Sequence, residues 1–142
     1  MEILKNESDY NMIDWWKKVV IENYANFEGR ARRSEYWYFV LANILLYLSI
    51  VFLGVLLAFI PYIGFISSTF VILYVVLALG LFIPSLAVVV RRLHDTGKSG
   101  WFYLINFIPL GGIVLLVFLC QDSEPGSNKW GPNPKEEPLD DF

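Results

Sequence analysis

The densest concentration of reactive side chains in the chain is Arg91-Arg92-Leu93-His94-Asp95-Thr96-Gly97-Lys98-Ser99-Gly100-Trp101, which sets the single histidine beside a carboxylate and three cations. Acid–base work is disfavoured, because His94 and Asp95 are adjacent and their side chains diverge on a helix or strand. Gly97-Lys98-Ser99 has the look of the end of a phosphate-binding loop, but the glycine required five positions before the lysine falls on Leu93. One histidine with no cysteine nearby gives no metal-ligand set. The expectation is therefore a protein that is not an enzyme and carries no cofactor.

What remains is the chemistry of charge. A second block, Phe27-Glu28-Gly29-Arg30-Ala31-Arg32-Arg33-Ser34-Glu35-Tyr36-Trp37, carries three cations like the first. If the fold brings the blocks together, the six cations Arg30, Arg32, Arg33, Arg91, Arg92 and Lys98 face only Glu28, Glu35 and Asp95. Arginine favours bidentate contact with phosphate, so the cluster is expected to meet anionic lipid head groups or a phosphate-bearing ligand, with Glu35, Asp95 and His94 orienting individual side chains. The plainer reading is that Glu35 and Asp95 pin helices together while the spare charge sets topology.

The elements that must hold these blocks follow from the residues between them. The chain of 142 residues is 56% hydrophobic and only 18% charged, with a mean hydropathy of +0.48. No Asp, Glu, Lys, Arg or His occurs from Tyr36 through Val90. As one helix that run would measure about 80 Å, against a hydrocarbon core of about 30 Å, so it must fold back. Pro61-Tyr62-Ile63-Gly64 and Ser67-Ser68-Thr69 supply the reversal. Two spans are predicted, about 37–60 and 67–90. A third is predicted over 101–120, where Trp101 to Cys120 is uncharged and just long enough to cross. Runs such as Ile50-Val51-Phe52-Leu53 are apolar on every side and exclude a barrel strand.

Orientation follows from the cations. Six Lys and Arg precede the first span, none separates the first two, three lie between the second and third, and two follow. The reading is a cytoplasmic amino terminus and a carboxyl terminus that is external, periplasmic where there are two membranes. Three segments result: a polar stretch over 1–13, a membrane domain over 14–120 and an acidic Pro/Gly-rich tail over 121–142, expected to be irregular and partly mobile, with Trp130 anchoring at the outer interface. Within the membrane domain, residues 14–27 place Trp15, Trp16, Val19, Val20, Tyr24 and Phe27 on one stripe of an amphipathic interfacial helix. Ser34 is expected to cap the first span and Pro84 and Pro109 to kink their helices. Gly54 and Ala58 mark close helix packing, and Asn43 and Asn106 are read as bonding across helices. Cys120 is the only cysteine, so no internal disulfide forms.

The Phe27 to Trp37 block, the Arg91 to Trp101 loop continuing into Ile108-Pro109-Leu110-Gly111-Gly112, and Gly126-Ser127-Asn128-Lys129-Trp130-Gly131-Pro132-Asn133-Pro134 occur in this order. Together they resemble the bacterial inner-membrane family called domain of unknown function 805 (YhaH/YhaI-like). The departures are Phe102 and Trp130, both aromatic exchanges. The resemblance implies an all-α integral protein of the bacterial inner membrane with no assigned activity and no catalytic residues. The expected role is a non-enzymatic component whose partners are membrane lipids, another membrane protein or a second copy of itself, and not nucleic acid. The alternative is a subunit of an oligomeric transport or pore assembly lined by Asn43 or Asn106.

Overall fold

The structure, a computed structural model, describes residues 6–136. The ends of the predicted amino-terminal segment and tail, residues 1–5 and 137–142, lie outside them. The described residues are helical, without a strand. Helix α1 (Met12–Lys17) opens on a reciprocal cap, Asn11 accepting from the Asp14 N–H while Asp14 accepts from the Asn11 N–H, and it widens into a π turn over Lys18–Glu22. The long helices α2 (Arg33–Ala58) and α3 (Ser67–Asp95) follow. Both are long and apolar enough to cross a membrane. The turn between them contains Tyr62 at φ 70° and a short 3-10 stretch over Gly64–Ile66. Helix α2 starts one turn earlier than expected, with Arg32 at its cap and Ser34 inside its first turn, so the predicted Ser34 cap is not formed.

Helices α2 and α3 form an antiparallel hairpin whose outer faces, including Leu48, Phe52, Val71 and Leu79, are exposed as a lipid-facing surface requires. Close approach is set at Gly54, where an added Cβ would meet the Phe70 Cβ at 3.1 Å, which is the packing predicted for the small residues. Pro84 lies inside α3 and has no N–H to give to the Gly80 carbonyl four residues earlier. The Tyr24 hydroxyl donates to that carbonyl at 2.6 Å. Water is absent from the hydrocarbon, so this bond completes a site that proline leaves open. Tyr24→Phe is expected to lower stability by about 1–3 kcal/mol, the range for an abandoned acceptor, read by denaturant titration of the purified protein.

Helix α1 packs on α2, where the Trp16 indole N–H donates to Asn43 Oδ1 at 3.0 Å. The amphipathic segment ends at Glu22 and not at 27, and Tyr24 and Phe27 lie beyond it, exposed.

The third apolar run does not form the predicted spanning helix. Residues Gly100–Phe107 are a 3-10 helix, and α4 covers only Gly111–Cys120. Pro109 holds Ile108 extended at φ −97°, ψ 143°, and Leu110 then turns left-handed at φ 64°. The limbs approach so closely at the turn that a Cβ on Gly111 would sit 1.7 Å from the Ile105 carbonyl oxygen, which only glycine permits. Each limb is about 15 Å long by its rise per residue, half of a hydrocarbon core. Both ends lie at the carboxyl end of α3: Lys98 N–H donates to the Leu93 carbonyl at 2.9 Å, and Arg92 Nε to the Leu119 carbonyl at 3.1 Å. The run is a hairpin whose two ends meet at the same end of α3.

Candidate functional site

At the shared end of α2 and α3 the two basic blocks meet, as the sequence predicts. The Ala31 N–H donates to the Arg91 carbonyl at 3.0 Å and fixes their register. The cluster is buried and divides into two networks.

Asp95 is the centre of the first. It is fully buried and accepts from Arg30 Nε at 3.0 Å, from Arg92 Nη1 and from the Ser123 hydroxyl at 2.6 Å. Arg30 spends its remaining N–H groups on the tail, with Nη1 on the Gly126 carbonyl at 2.8 Å and Nη2 on the Glu124 carbonyl at 2.5 Å. Arg92 spends its own on the carbonyls of Leu119, Ala31 and Gln121. Leu119 and Gln121 stand at the carboxyl end of α4, where carbonyls lack helical partners and the dipole favours a cation. Arg92 thus caps α4 and fastens the hairpin to α3.

This network also fixes the tail. The Glu124 N–H donates to the Asp95 carbonyl at 2.8 Å and Asn128 Nδ2 to the His94 carbonyl at 3.0 Å. Trp130 stacks on the His94 ring, centroids 4.4 Å apart and planes 9° from parallel. Residues 121–136 are therefore folded against the same end of the bundle as Arg30. Over these residues the tail has no helix or strand, as expected, but it packs on the end of the bundle that holds Arg30, where Trp130 meets His94 and not an outer interface. His94 Nδ1 donates to the Gly29 carbonyl at 3.0 Å, so the histidine joins the two basic blocks. Its ring also lines a groove of about 510 Å³ with Phe27, Trp101, Tyr103 and Trp130.

The second network runs through α1. Arg32 Nη1 lies 3.6 Å from Glu7, Glu7 pairs with Lys18, Lys18 Nζ lies 3.3 Å from Glu35, and Glu35 accepts from Arg91 Nη1 at 2.5 Å. Burial works against the Lys18 ammonium, but Glu35 and Glu7 outweigh it and hold its pKa above the usual lysine range. Arg32 also lies over the Trp15 ring, 5.4 Å from its centroid.

The two remaining predicted cations stand apart. Lys98 donates to Gln121 Oε1 at 2.6 Å and lies 4.6 Å over the Phe118 ring. Arg33 is exposed at the start of α2, on the side of Asp122, whose carboxyl is held below its usual range chiefly by the Lys135 hydrogen bond and the Ser123 N–H, with a smaller pull from Arg33. Sequence reasoning missed Glu7, in the polar stretch over 1–13, and Lys18, which lies off the apolar stripe of residues 14–27. It also missed the tail carbonyls, which carry no residue-type signal.

Residues 24–132 match the family described as Protein of unknown function (DUF805). The chain is 42% identical over 127 residues to the inner membrane protein YhaH of Escherichia coli strain K12, covering 89% of this chain and 100% of that one. It is 42% identical over 122 residues to the inner membrane protein YhaI of the same strain, covering 84% and 95%. No solved structure matches the chain.

Proposed function

Because the chain belongs to the DUF805 family, with relatives named as inner membrane proteins, we propose that it is a non-enzymatic component of the bacterial inner membrane. In this reading it crosses the bilayer twice, keeps both ends in the cytoplasm and acts through contact of its cytoplasmic face with anionic lipid or a neighbouring membrane protein. One observation carries it. All ten Lys and Arg among the described residues lie at one end of the α2–α3 hairpin or in the segments folded on it, and the turn at the other end has none. Cations resist translocation, so that end faces the cytoplasm.

The test is purification from native membranes in mild detergent, with retained lipids and proteins identified by mass spectrometry. Enrichment of anionic lipid or of a defined membrane partner over bulk composition is expected, and neither being enriched overturns the reading.

A transport or pore subunit is the second reading, and one residue favours it. Asn43 is occupied by Trp16, but Asn106 stays exposed on the re-entrant hairpin, where an amide in hydrocarbon seeks a partner. Ion flux through liposomes that is lost in Asn106→Leu supports that alternative. No flux from any oligomer rejects it.

A further inference from the structure

The six predicted cations are not equally available. Arg30 and Arg92 have every side-chain nitrogen committed to Asp95 or to carbonyls. Arg91 is different. Its side chain is 3% exposed and Nη1 is spent on Glu35, yet Nε and Nη2 have no hydrogen-bond partner, and neither has the buried Nε of Arg32. Nε and Nη2 form the side edge of the guanidinium, two parallel donors spaced to take two oxygens of one anion. Leaving such donors unpaired away from water is costly, more so on a charged group.

The charges around this edge point the same way. Arg32, Glu7, Lys18, Glu35 and Arg91 form an open chain of alternating sign, three cations against two carboxylates, with one positive charge uncompensated. Its two ends are the arginines that carry the unpaired donors, and the backbone bond from Ala31, the residue before Arg32, to the Arg91 carbonyl brings the two stretches of chain together. One monoanion between them closes the chain, neutralises the excess and satisfies the donors. The rim is reachable: Glu7 is 35% exposed, Arg32 25% and Lys18 18%. Glu7, in the 3-10 turn before α1, is the most exposed member of the chain.

We propose that Arg91 and Arg32 form a binding site for a phosphate-type monoanion, held bidentately on the Nε and Nη2 edge of Arg91. The inference rests on the lipid-contact reading above and deepens it, since a phospholipid head group carries this chemistry at the depth where the site lies. Free phosphate is the other source of the same chemistry.

The test uses the full chain in detergent, with phosphatidylglycerol, phosphatidylcholine and inorganic phosphate as probes. Native mass spectrometry and melting temperature are read on each. The wild-type chain is expected to retain one phosphatidylglycerol and to melt higher with it than with phosphatidylcholine. Arg91→Lys keeps the charge facing Glu35 but removes the side edge. It is expected to lose retention about tenfold, as is Arg32→Lys, while the exposed Arg33→Gln retains lipid like the wild type. Thermal stabilisation by inorganic phosphate that displaces the lipid and is lost in Arg91→Lys assigns the same site to free phosphate. Wild-type retention by both lysine variants, or loss in Arg33→Gln alone, overturns this site and leaves the lipid reading standing. No anionic-lipid retention by the wild-type chain, with no response to phosphate, overturns the site and the lipid reading together. Should Arg91→Lys fail to fold, Arg32→Lys decides the outcome alone.

Discussion

Green fluorescent protein fused behind Phe142 is expected to fluoresce and alkaline phosphatase fused there to be inactive, whereas the phosphatase inserted at Tyr62 is expected to be active. The two reporters differ in an all-or-none manner, because each works on only one side of the membrane. The expectation follows from the hydrogen bonds that tie the tail to the amino-terminal block. Arg30 cannot donate to the Glu124 and Gly126 carbonyls from across a bilayer, nor can Asn128 reach the His94 carbonyl. Tyr62 is 98% exposed in the turn at the far end of α2, where an insertion meets little packing. The cation count agrees, since Lys129 and Lys135 join the other basic residues on one face and no longer stand as exceptions to the rule. Phosphatase activity behind Phe142 without fluorescence would restore a third crossing and break the contacts described here.

Asp95→Ala is expected to lower stability by about 3–5 kcal/mol, the cost of stranding buried charge by removing its partner. Here one carboxylate serves two guanidiniums and the Ser123 hydroxyl, and the side chains of Arg30, Arg92 and Asp95 are almost wholly buried. Asp95→Asn keeps the size but not the charge, so it is expected to lose nearly as much. Because Arg30 and Arg92 hold the tail and α4, protease sensitivity between Cys120 and Glu136 should rise in both variants before α2 and α3 unfold. Denaturant titration with limited proteolysis measures the two effects. A loss below about 1 kcal/mol would show that the carbonyl acceptors alone stabilise the arginines.

The α2–α3 hairpin was legible because its cause is local and strong. A charge-free run from Tyr36 to Val90 leaves the chain one way to satisfy its backbone in hydrocarbon, and Pro61 to Gly64 mark where it reverses. The meeting of Arg30 with Asp95 and of Arg91 with Glu35 follows from that reversal, since it returns the end of α3 to the start of α2. The hairpin geometry also made Gly54 readable as a contact residue.

The third apolar run was not legible, because twenty uncharged residues have the same hydropathy whether they cross once or enter and return. Pro109 and Gly111 signal a break, but a kinked span and a reversal share those residues. What separates them is the left-handed Leu110 together with the demand of Arg92 and Arg30 for acceptors. Those acceptors are backbone carbonyls of residues 119–131, and a carbonyl is present at every position of every sequence. Composition thus determined that the protein enters the membrane and which end carries its charge. Only the tertiary structure decided which carbonyls those charges reach, and with them the end of the bundle on which residues 121–136 fold.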